Sequence, residues 1–71
     1  MANIQLLDVV AVTTDLPEQG LSRGQVGTIV ELLAPGVFEV EFSDEQGQTY
    51  AQIALSEVQL LVLHYEPQST A

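Results

Sequence analysis

The side chains in this sequence with the chemistry for a reaction are ten carboxylates, one histidine, a few serines and a single arginine. Glu39 and Glu41 stand two apart in an alternating stretch, and Asp44 and Glu45 follow directly. Oxygen ligands at that density attract Ca²⁺ or Mg²⁺, and paired carboxylates can do acid–base work. The spacing argues against both. Asp44-Glu45-Gln46-Gly47-Gln48 lacks the repeated Asp/Asn positions of a calcium loop, and two glutamates on one face of a half-buried strand form an ordinary solvated face. His64, the lone histidine, sits beside Tyr65 near the C-terminal end, where edge packing explains it. Ser22, Ser43, Ser56 and Ser69 fall in loops or caps, so no set of nucleophile, base and orienting acid assembles. Gly20, Gly24 and Gly27 do not match a phosphate loop, and there is no lysine to complete one. With no cysteine, thiolate metal sites, disulfides and cysteine nucleophiles are excluded. The expectation is a protein that is not an enzyme, with no catalytic residue, no metal and no cofactor.

Charge narrows the partners. Ten acidic residues against one basic residue give a net charge of −9 on 71 residues. Such a chain has nothing with which to displace counterions from DNA or RNA, and it is repelled by anionic membranes. Arg23, the one cation, is expected to form an ion pair that holds the long loop before it against the body of the fold. Glu39, Glu41, Asp44 and Glu45 are the candidate partner-binding carboxylates, with Tyr50 as their apolar contact. A basic start and an unbroken apolar run, the marks of a secretory signal, are missing from MANIQLLDVVAV. No apolar run approaches the ~20 residues that cross a bilayer, and a cytoplasmic location is expected.

The elements that must position these residues are short strands. Apolar residues come in bursts separated by glycine and proline, not at helical spacing. Residues 6–12 read as a first strand, 15–20 as a polar loop and 26–33 as the longest strand, with Gly27 marking a bulge or tight bend. Ala34-Pro35-Gly36 is a turn. Val37, Glu39 and Glu41 then point one way and Phe38, Val40 and Phe42 the other, with both phenylalanines assigned to the core. A hairpin loop over 43–48 leads to a strand over 49–55, with Tyr50 facing outward. A single helical turn capped by Ser56 precedes a fifth strand over 59–63. This is an all-β pattern: a small five-stranded SH3-like barrel over residues 1–66, with one short helical turn before the last strand and a flexible tail over 67–71. Barrel closure would remove exposed edges; an open five-stranded sheet with a short helix is the alternative.

Several segments carry a family likeness. Leu7-Asp8-Val9-Val10, Asp15-Leu16-Pro17-Glu18, Gly20-Leu21 and the run from Arg23 to Val30 resemble the bacterial family called domain of unknown function 4926. So do Phe38-Glu39-Val40-Glu41-Phe42, Gly47, Thr49-Tyr50-Ala51 and Gln59-Leu60-Leu61, and the likeness runs from about Leu6 to Tyr65. The resemblance implies an SH3-like barrel. Genes of the family lie beside toxin genes in some genomes, which implies an antitoxin or immunity role for some members. Arg23-Gly24-Gln25-Val26-Gly27-Thr28-Ile29-Val30 is also similar, more weakly, to the KOW motif of ribosomal and transcription-factor barrels, from which this acidic chain departs in charge.

The function expected is a protein-interaction module, an acidic barrel that binds a basic protein, in one version an antitoxin-like neutraliser. The alternative is an accessory or structural subunit of a larger bacterial complex. A neutraliser is expected to be a monomer or small homo-oligomer, and an obligate subunit to carry an exposed apolar patch.

Overall fold

The computed structural model describes residues 3–68. It is all-β: strands β1 (Val9–Val12), β2 (Val26–Ala34), β3 (Val37–Ser43), β4 (Thr49–Ser56) and β5 (Leu60–Val62) form one antiparallel sheet. Their order, β4-β3-β2-β1-β5, is a meander whose last strand returns to lie beside the first, as in SH3-like barrels. Among the described residues no ladder joins β4 to β5, so both remain edge strands. The expected closure is thus incomplete. The 3-10 turn between them, Glu57–Gln59, has Ser56 as its N-cap, as expected, and Gln59 Oε1 accepts from the Ser56 N–H at 2.9 Å.

Burial follows the alternation. Val10 and Val12 from β1, Ile29 from β2, Phe38, Val40 and Phe42 from β3, Leu55 from β4 and Leu60 from β5 form the core with Leu21. No polar side chain is buried among the described residues. The first strand starts at Val9 rather than at Leu6, because Asp8 closes a turn ahead of it. Asp8 Oδ2 accepts from the Gln5 N–H at 2.8 Å, and the Asp8 N–H donates to Gln5 O at 3.1 Å. Leu7 takes a φ of +72° in that turn. The polar loop over 15–20 contains a 3-10 turn of its own, Pro17–Gln19, ended by Gly20 at φ +73°.

Gly27 marks neither a bulge nor a bend. It pairs in register with Val10, and the irregularities of β2 fall further on, between Ile29 and Glu31 and between Leu32 and Ala34. What requires glycine is a close approach. A Cβ there would lie 2.7 Å from Val40 Cγ1 and 2.9 Å from both Glu41 O and Phe42 Cδ1. Of the tail expected over 67–71, Ser69, Thr70 and Ala71 lie outside the described residues.

Candidate functional site

Because Phe38, Val40 and Phe42 are buried, Glu39 and Glu41 occupy the opposite, outer face of β3. Register sets their neighbours. Glu39 lies between Glu31 of β2 and Ala54 of β4, and Glu41 between Thr28 and Gln52. Glu31, Glu39 and Glu41 therefore share one face of two adjacent strands, β2 and β3, with neutral side chains around them. Two diagonal bonds tie the face to β4: Gln52 Nε2 donates to Glu39 Oε2 at 3.1 Å, and Thr49 Oγ1 donates to Glu41 Oε2 at 2.9 Å. Glu39 and Glu41 are half-buried by these contacts.

The other candidates are placed differently. Asp44 heads the β3–β4 turn, where its Oδ1 accepts from the Gln46 and Gln48 N–H groups at 2.9 Å each. The turn is completed by Asp44 N–H to Gln48 O at 2.9 Å and by Gly47 at φ +82°. Asp44 thus has a structural task, whereas Glu45 projects exposed from the same turn. Tyr50 is 49% exposed, as its outward assignment implied, but it stands apart from the glutamates. Phe42 pairs with Ala51 and Ser43 with Thr49, leaving Tyr50 as the extra residue of a bulge. Its ring lies 6.2 Å from that of Phe42, and its hydroxyl accepts from Gln25 Nε2 at 3.0 Å.

Glu31 was not singled out from sequence; it joins the face only through the β2–β3 register. Arg23 also differs from expectation. It does secure the long loop, but through its main chain, whose N–H donates to Asp15 Oδ1 at 2.8 Å. No three His, Asp or Glu side chains among the described residues gather as metal ligands would. His64 is exposed and lines a shallow crevice along β5 with Asn3, Gln5 and Asp8. No helix among the described residues is long and apolar enough to cross a membrane.

The face thus sets Glu31 directly opposite Glu39 on one rung of the β2–β3 ladder, with Glu41 two residues along β3. No curated protein and no solved structure matches the chain. A family model does match, over residues 6–62, and the chain belongs to that family, described as Domain of unknown function (DUF4926).

Proposed function

We propose that this is a non-enzymatic, cytoplasmic interaction module that binds a basic protein through the outer face of β2, β3 and β4. The observation that carries the reading is the shared face of Glu31, Glu39 and Glu41 in a chain of net charge −9 with a single basic residue. Sheet surfaces ordinarily set opposite charges across from one another. Here the chain has no lysine to supply the second sign, and its arginine lies in the loop tied to Asp15. A partner rich in lysine or arginine provides it, steered in by the long-range field. Where that partner is a nuclease or another nucleic-acid-binding toxin, an acidic barrel over its basic site blocks phosphate entry, which is the antitoxin or immunity version.

A second reading, an accessory subunit of a larger complex, is favoured by a separate observation. Leu32 is 61% exposed and Leu33 46% exposed at the end of the β2–β3 hairpin, beside Pro35. Exposed apolar residues grouped in this way mark contact surfaces.

A pull-down from lysate with wild type and an E31Q/E39Q/E41Q variant, at ~50 mM and ~300 mM salt, separates the two. Screening tightens from about 14 Å to about 6 Å over that range. The interaction-module reading expects a basic partner held by wild type at low salt, lost at high salt and lost in the variant. A partner retained in all conditions supports the subunit reading instead.

A further inference from the structure

We infer that the basic partner engages by adding an extended segment to the free edge of β4 as a sixth strand, with a lysine or arginine opposite Ala54 reaching Glu39. This deepens the proposed function and rests on it. The edge itself is the first observation. β4 runs for eight residues, Thr49–Ser56, at the end of the sheet, and its sequence TYAQIALS has no charge and no proline. Edge strands are ordinarily protected by lysine, proline, inward charges, bulges or shortness. Here the one such device is the bulge at Tyr50, close to the β4 N-terminus, which leaves Ala51 through Ser56 in regular pairing with β3. An unprotected edge of this length is a template for main-chain pairing.

The second observation is the register behind the edge. An added strand would lie about 4.8 Å from β4 and about 10 Å from β3. Ala54 is exposed and stands directly opposite Glu39, so its methyl group leaves room for a long side chain to cross β4. The aliphatic stem of lysine or arginine lies over that methyl group and sets its charge at the Glu39 carboxylate. Gln52 stands likewise before Glu41, two residues along, which matches the period of alternate residues on an added strand. The rest of the face has no cation of its own to offer these carboxylates. Pairing with a second copy through β4 is disfavoured by the same facts. It would bring another uncharged edge and a further −9, with no cation opposite Glu39.

The test uses two synthetic peptides of equal charge, one alternating lysine with threonine over ten residues and the other the same sequence N-methylated at every residue. N-methylation removes every main-chain donor, so it abolishes ladder pairing in either register. The unmethylated peptide is expected to bind at least about tenfold more tightly, a difference set by main-chain bonding. It is also expected to slow hydrogen exchange in β4. A54K places a cation of the protein's own opposite Glu39, and is expected to weaken that peptide by about tenfold while leaving the unfolding midpoint unchanged or raised. Equal binding of the two peptides, or new protection elsewhere than in β4, overturns strand addition and leaves the acidic face standing. Failure of both peptides to bind overturns the acidic face as well.

Discussion

Glu31 and Glu39 stand directly opposite each other across the β2–β3 ladder, both on the solvent face. Like charges in that relationship repel, and such a pair is worth about 0.2–1 kcal/mol against folding. The isolated protein therefore carries a built-in repulsion that a bound cation would relieve. E31Q and E39Q are each expected to raise stability by about that amount in urea unfolding. Added salt should narrow the gap between variants and wild type by screening the pair. If the acidic face binds a basic partner, the same variants gain stability while losing affinity, a trade that neither repulsion nor burial alone would produce.

Gly27 makes the sharpest prediction about packing. Its missing Cβ would meet Val40 Cγ1 at 2.7 Å and the Glu41 main-chain oxygen at 2.9 Å. A side-chain methyl can shift, but a ladder carbonyl is held in place by the sheet. Gly27→Ala is expected to destabilise by about 1–3 kcal/mol, the range for overpacked sites. Gly24 offers the contrast: nothing lies within 4 Å of a Cβ there, yet its φ is +92°. Gly24→Ala should cost about 1–2 kcal/mol through backbone strain alone. Thermal unfolding of the two variants in one buffer measures both effects.

What could be read from the sequence was whatever depends on local pattern. The inward phase of Phe38, Val40 and Phe42 follows from strict alternation, and the turns at Pro35-Gly36 and Asp44–Gln48 from residues that demand them. What could not be read depends on bulges. Counting back regularly from the Ala34–Val37 pair sets Glu31 opposite Val40, on the core side. The shift between Leu32 and Ala34 instead brings Glu31 opposite Glu39. One extra residue turned an apparent misfit into a member of the candidate face. The same cause separated Tyr50 from the glutamates, because a bulge has no composition that announces it in a stretch such as Thr49-Tyr50-Ala51. The open β4–β5 junction is a long-range property, and five short strands are compatible with closure or without it.

Leu7 is the one residue other than glycine with positive φ among those described, at +72°, and its side chain is 71% exposed. A leucine in the left-handed region is strained by about 1–2 kcal/mol, and this side chain buries too little to offset that. Glycine relieves the strain at some loss of unfolded-state restriction. Leu7→Gly is therefore expected to raise the unfolding free energy by up to about 1 kcal/mol. The Leu7 N–H donates to Ile29 O at 2.8 Å, a main-chain bond that glycine can also make. Unchanged or lowered stability would show that the exposed leucine contributes packing that outweighs its strain.

Asp44 and Glu45 are neighbours with opposite expectations. The Asp44 carboxylate organises its turn by accepting from two main-chain N–H groups, while Glu45 makes no such contact among the described residues. Asp44→Ala should cost about 1 kcal/mol or somewhat more, since it leaves both donors to water at an exposed site. Asp44→Asn keeps an oxygen acceptor and removes the charge, so it should retain most of that stability. Glu45→Gln should leave the unfolding midpoint within experimental scatter, as surface changes away from structural features do. The three variants then divide charge from turn geometry in any binding measurement. Affinity lost equally in Asp44→Asn and Glu45→Gln reports a partner that reads the charge of the turn. Affinity lost in Asp44→Ala but kept in Asp44→Asn reports a partner that needs β3 and β4 held in register, and it moves the recognised carboxylates from the turn to Glu39 and Glu41.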